Sequence, residues 1–105
     1  MVKQGTIIIV SFDPALGHEQ KKTRPALVVS SNEFNSRCNM TWLCPISHAD
    51  DFPLHINLPQ GLKTDGKILC DQIKSMDLSA RHYRVVETVP DDYLQKIRNV
   101  LKLCI

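Results

Sequence analysis

The chain has 105 residues, of which 43% are apolar and 23% charged, with a formal net charge of +2. That length suits one domain with a single modest core, and that balance excludes a disordered acidic or basic tail protein. The charge is too small to name a nucleic-acid partner by itself, although Lys3, Lys21, Lys22 and Arg24 gather in the first quarter of the chain.

Gly5 precedes Thr6-Ile7-Ile8-Ile9-Val10-Ser11-Phe12, a run rich in β-branched residues and apolar on both faces, which predicts a well-buried strand. Asp13-Pro14 stops it, because proline cannot donate to a ladder. The polar stretch that follows, through Thr23 and Arg24, is roughly twice the two to five residues a hairpin needs. It gathers acid, base, imidazole and guanidinium in one loop, where working surfaces tend to lie. Pro25 is read as opening a second strand over Ala26–Ser30, which stiffens Arg24 in an extended conformation.

Ser31–Asn35 reads as a short helical turn, and Met40–Ile46 as a third strand in which Pro45 argues for an edge or a bulge. Leu54–Leu58 alternates, with His55 and Asn57 expected outward. Pro59–Gly66 is a turn region, Lys67–Ile73 a central strand and Tyr83–Val89 a last strand. Leu94, Ile97, Leu101 and Cys104 then recur at helical spacing, with Pro90 at the start, Asp91 and Asp92 in the first turn and Lys102 late. Strands separated by turns and closed by one helix predict a mainly β fold over residues 1–105, a small antiparallel β-barrel with a C-terminal α-helix.

No apolar run approaches a membrane span and no leader pattern opens the chain, so a cytoplasmic protein is expected. Cys38, Cys44, Cys70 and Cys104 lack a Cys-x-x-Cys spacing and read as small hydrophobes or bystanders. Glycine-rich phosphate loops, serine elbows and zinc spacings do not occur in the sequence, and no metal or cofactor is expected.

Arg24, beside Lys21, Lys22 and Thr23, suits bidentate capture of a phosphate, or is a solvated loop arginine. His18 and Glu19 are candidates for acid–base work or for hydrogen bonds that hold the loop. Asp71, read inside an apolar strand, must be paired or emerge at a rim; Arg81 and Arg84 are its expected structural partners. Ser47 ends a strand after Pro45-Ile46 and would set a hydroxyl at the barrel's mouth. Trp42, Phe34 and Phe52 are candidate stacking surfaces for bases, although Trp42 and Phe34 are expected in the core.

Gly5-Thr6-Ile7, Phe12–Gln20, Thr23–Ser30, Phe34-Asn35, Pro45-Ile46-Ser47, Cys70–Asp77 and Ala80-Arg81 together resemble the MazF/PemK (Kid) toxin family of type II toxin–antitoxin modules. The resemblance implies an SH3-like barrel, a homodimer and a cognate antitoxin. It also implies a metal-independent endoribonuclease that cuts single-stranded messenger RNA at short motifs and so stops translation. Attack would come from the substrate's own 2′-hydroxyl, leaving a 2′,3′-cyclic phosphate and a 5′-hydroxyl. In that frame Arg24 matches the loop arginine that stabilises the phosphorane, and Ser47 a position where relatives carry threonine. His18 and Glu19 match loop positions with catalytic or substrate-binding roles, and Asp71 the carboxylate proposed as base in the Kid branch. Lys21, Lys22, Thr23, Pro45 and Gln72 are the expected substrate-binding neighbours. Leu69 stands where the Kid branch has an arginine, which throws more of the cationic load onto Arg24. Two other readings share the fold: a gyrase-poisoning toxin of the CcdB type, and an RNA- or protein-binding barrel without catalysis.

Overall fold

The computed structural model describes residues 1–12 and 23–105. Its strands are β1 (Thr6–Ser11), β2 (Thr23–Val28), β3 (Thr41–Ser47), β4 (His55–Asn57), β5 (Lys67–Leu69), β6 (Lys74–Met76) and β7 (Tyr83–Thr88). Helix α1 (Asn32–Arg37) follows β2, and α2 (Asp91–Lys102) closes the chain. Every pairing is antiparallel, in the order β4-β5-β3-β2-β1-β7 with β6 beside β3. The mainly antiparallel β fold with a C-terminal helix is as predicted, and the barrel description roughly fits it, the path running from β4 to β7 without closing among the described residues.

Strand β1 is buried on both faces because it stands between two cores, and the strand period of two sorts its residues between them. Ile7, Leu27 and Cys44 form one cross-strand row and join Ile46, Ile68, Tyr93 and Ile97. Ile8, Ala26, Val28 and Leu43 belong to the second core, with Val10, Met76 and Leu78. Helix α2 covers the first core with Tyr93 and Ile97, and the Tyr93 hydroxyl donates to the Asn57 carbonyl at 2.7 Å. The helix is thereby tied to β4. Gly5 supplies the backbone freedom for the turn before β1: its φ is +91°, and its N–H donates to the Val28 carbonyl at 2.8 Å.

Both strand prolines sit where a neighbour is missing. Pro25 is the third residue of β2 and not its first; it pairs with Ile9 of β1, whereas pairing with β3 begins at Ala26. Pro45 pairs with Ala26 between the end of the β6 ladder at Leu43 and the start of the β5 ladder at Ile46. A residue without an N–H is tolerated at such gaps.

Other expectations need correction. Lys67–Ile73 is not one strand: β5 stops at Leu69, and Cys70–Gln72 forms a 3₁₀ turn before β6. Asn57 is exposed, but the His55 side chain is only 12% exposed. Trp42 is 43% exposed and meets the half-buried Phe34 with ring centroids 5.1 Å apart and tilted by 56°, on the surface and not in the core. Cys44 and Cys70 are buried, whereas Cys38 and Cys104 are exposed.

Candidate active site

Three strands and one turn bring polar groups to a single cleft of about 590 Å³. Arg24 comes from the start of β2, opposite Val10 and beside the 13–22 segment. Ser47 comes from the last position of β3, where the ladder to β5 ends opposite Lys67, and His48 follows it into the lining. The turn before β5 contributes Lys63, Thr64 and Asp65, and β7 contributes Arg84 and Val86. Ile9, Pro25 and Ile46 supply an apolar part of the lining. A separate apolar groove of about 300 Å³ between Trp42 and the end of α2 contains none of the described site residues expected from sequence.

The turn is held by one carboxylate. Glu87 of β7 accepts hydrogen bonds from the Lys63 N–H at 2.9 Å, the Thr64 N–H at 2.8 Å and the Thr64 hydroxyl at 2.7 Å. Desolvation pushes the Glu87 carboxyl up, but these hydrogen bonds outweigh it and hold the group below its ordinary value. A regular strand would put Arg84 and Glu87, three residues apart, on opposite faces. The bulge in the β1–β7 ladder changes that: Arg84 pairs with Ile9 and Glu87 with Ile7, which share a face. One strand therefore delivers both a cation to the cleft and the acid that secures its turn.

Charge in the cleft is largely uncompensated. Among the described residues neither the Arg24 nor the Arg84 side chain has a hydrogen-bond or ion-pair partner. Asp65 faces His48 Nε2 at 3.5 Å. Two guanidinium groups, an ammonium and a hydroxyl around one recess make a site for an anion with several oxygens.

Asp71 lies elsewhere. It is in the 3₁₀ turn after β5, and its Oδ1 sits 3.0 Å from His55 Nε2, while His55 Nδ1 contacts the Asp50 carbonyl at 3.0 Å. Its expected arginine partner is therefore replaced by a histidine, and Arg81 instead donates to the Ser11 carbonyl at 2.7 Å. Gln72 is exposed in the same turn, Pro45 is buried in β3, and Thr23 pairs with Ser11; none of the three lines the cleft. His18, Glu19, Lys21 and Lys22 lie outside the described residues. Leu69 is 3% exposed and offers the cleft no polar group. Among the described residues no three His, Cys, Asp or Glu side chains come together to hold a metal ion.

The sequence reading missed His48, Lys63, Thr64, Asp65 and Arg84 as cleft residues, and Glu87 as the acid that holds their turn. His48 was within reach of it, as the immediate neighbour of Ser47. The others depend on a turn folding back across the sheet and on the bulge in β7.

Residues 3–105 match the family of PemK-like, MazF-like toxins of type II toxin–antitoxin systems. The chain is 32% identical to endoribonuclease PemK of Escherichia coli over 101 residues, covering 91% of this chain and 76% of that one. It is 34% identical to endoribonuclease toxin MazF of Escherichia coli K12 over 102 residues, covering 96% and 91%. Among solved structures it superposes on MazF of Deinococcus radiodurans with a TM-score of 0.83 at 31% identity, covering 98% of this chain and 94% of that one. It also superposes on a MazE–MazF structure from the same organism with a TM-score of 0.85 at 31% identity, over 98% and 94%.

Proposed function

The chain belongs to the PemK-like, MazF-like toxins of type II toxin–antitoxin systems, and from that premise we propose that it is a sequence-specific endoribonuclease cleaving single-stranded messenger RNA in the cytoplasm. The observation that carries this reading is the meeting of Arg24 and Ser47, from different strands, in one cleft with uncompensated positive charge. The 2′-oxygen of the nucleotide before the cut attacks its phosphorus. The P–O bond to the 5′-oxygen then breaks, giving a 2′,3′-cyclic phosphate and a 5′-hydroxyl.

Charge grows on the non-bridging phosphate oxygens in that step, and Arg24 stabilises it while the Ser47 hydroxyl donates a further hydrogen bond. A guanidinium does not give up a proton in a protein, so Arg24 acts as an electrostatic group and not as the acid. Proton removal from the 2′-hydroxyl and proton delivery to the leaving oxygen fall to His18 and Glu19, in the segment that runs directly into Thr23 and Arg24. Lys21 and Lys22 add phosphate contacts from the same segment. Asp71, engaged by His55 away from the cleft, takes a structural part. A homodimer and a cognate antitoxin that blocks the site complete the proposal, supported by the similarity to a toxin solved with MazE.

The test is incubation of the purified protein and of Arg24→Ala with long single-stranded RNA in EDTA, with fragment ends mapped. Discrete cuts carrying 5′-hydroxyl ends, lost in the variant, are expected. Intact RNA over several unrelated sequences overturns the proposal.

A further inference from the structure

The chain has arginine at positions 24, 37, 81, 84 and 98. Arg37 pairs with Glu33 at 3.4 Å, Arg81 donates to the Ser11 carbonyl at 2.7 Å, and Arg98 reaches Gln95 at 3.5 Å. Arg24 and Arg84 differ from these three: neither side chain has a partner among the described residues, and both line the same cleft. A guanidinium is charged at every physiological pH and presents a planar fork that fits phosphate oxygens two at a time. Arginines left without a carboxylate, when they sit in a shared recess, are placed for an anion.

The register says how they divide that task. Arg24 stands on β2 opposite Val10 and Arg84 on β7 opposite Ile9, with β1 between them, so by register they leave opposite faces of the sheet and line the cleft from two sides. Adjacent strands lie about 4.8 Å apart, so the two backbones are separated by about 10 Å across the sheet. Arg24 enters beside Ser47's side of the sheet, whereas Arg84 enters from the strand whose Glu87 fixes the Lys63–Thr64 turn. A polyanion crossing the cleft would meet them in succession. The asymmetry of the walls separates their roles: only Arg24 has a neighbouring strand leading to the Ser47 hydroxyl.

We infer that Arg84 is a substrate-binding residue that holds the RNA phosphate adjacent to the one at Arg24 and Ser47, and so sets which bond reaches the reacting position. This rests on the endoribonuclease reading of the cleft. Arg84 is exposed, so replacing it leaves the two cores untouched.

The experiment compares wild type with Arg84→Gln, Arg84→Lys and Arg98→Gln, the last removing an equal charge outside the cleft. Binding to single-stranded 2′-O-methyl RNA of mixed sequence, which lacks the attacking hydroxyl, is measured as a function of salt; cleavage of unmodified RNA gives kcat and KM. Arg84→Gln is expected to flatten the slope of log affinity against log salt by about 0.7, one single-strand phosphate contact. It should also raise KM about tenfold, the scale of one charge-assisted hydrogen bond, with kcat within about twofold. Arg84→Lys should recover the slope and part of the KM, and Arg98→Gln should leave both near wild type. A wild-type slope and KM in Arg84→Gln, in a protein that binds and cuts RNA, overturns the inference alone. So does an equal change in Arg98→Gln, or a fall in kcat at constant KM, which would put Arg84 at the reacting phosphate. Wild-type protein that neither binds nor cuts RNA overturns the endoribonuclease reading, and the inference falls with it.

Discussion

The two ends of the sheet treat charge in opposite ways. Around β4 and β5 charged groups have found partners: Asp71 meets His55, and Lys67 reaches both the Ala49 carbonyl at 2.9 Å and Asp51 at 2.5 Å. Among the described residues, Arg24 at the start of β2 and Arg84 on β7 are left without partners in the cleft that holds the Ser47 hydroxyl. Partnered charge fixes local geometry, and the interaction is already made in the free protein. Unpartnered charge in a recess contributes nothing to the fold and is available to a ligand. The contrast separates groups whose removal should change stability from groups whose removal should change activity.

The largest expected effect tests the unpartnered side. Arg24→Ala should lower kcat for RNA cleavage about 100- to 1000-fold, the scale for losing one electrostatic donor to a developing oxyanion. Its thermal midpoint should stay within about 2 °C of wild type, since no side-chain hydrogen bond or ion pair is lost among the described residues. A variant that unfolds early, or keeps its kcat, would erase the distinction drawn between the two ends.

Glu87 joins both categories and sharpens the comparison. It is partnered, but its partners are the backbone of a cleft-lining turn. Glu87→Ala should cost about 1–2 kcal/mol of stability and speed hydrogen exchange of the Lys63 and Thr64 amides. The sign of its pH dependence follows from the lowered pKa. A carboxyl that is more acidic in the folded state contributes fully above its unfolded value, near 4.5. That contribution fades as the pH falls through the lower folded value. The stability gap between wild type and Glu87→Ala, read from urea unfolding, should therefore be wide at about pH 7 and narrow at about pH 3. A gap that does not depend on pH would show that the side chain works by packing.

Asp71→Asn probes the partnered end with a smaller effect. The amide keeps the shape and one oxygen, so the loss is about 1 kcal/mol, the worth of one hydrogen bond. RNA cleavage should stay within about threefold of wild type. A fall of a hundredfold or more in kcat would return Asp71 to the chemistry and move the site toward the 3₁₀ turn.

How far sequence reached follows the same divide. A β-branched run apolar on both faces exposed β1, and helical spacing exposed α2, because burial on one helix face repeats at fixed intervals along the chain. Arg24 was legible because it enters an apolar run directly before Pro25, and Ser47 because it ends one after Pro45-Ile46. Arg84 and Glu87 were not, since a bulge in β7 puts them on one face against the strand period, and a bulge leaves no mark in composition. Asp71 was misplaced for a related reason. Ile68-Leu69-Cys70 and Ile73 read as one apolar run, but Cys70 turns into the core from a 3₁₀ turn and the Asp71 carboxylate is left at the surface facing His55. The residue at the Kid-branch base position thus stands in the 3₁₀ turn and not in the lining of the cleft.

The smallest expected effect belongs to Asp51, and it marks where pairing stops mattering. Lys67 lowers the Asp51 carboxyl below its ordinary value, chiefly through their hydrogen bond, but the Asp51 side chain is 98% exposed. Water and salt screen such a pair, and ordering two mobile side chains offsets much of the attraction. Asp51→Asn should then move the thermal midpoint by no more than about 1 °C, and less in high salt. Lys67→Met should do more, because it also strips the Ala49 carbonyl of its donor in the loop that leaves Ser47. Equal effects from the two variants would mean that the exposed ion pair, and not the carbonyl contact, holds that loop against β5.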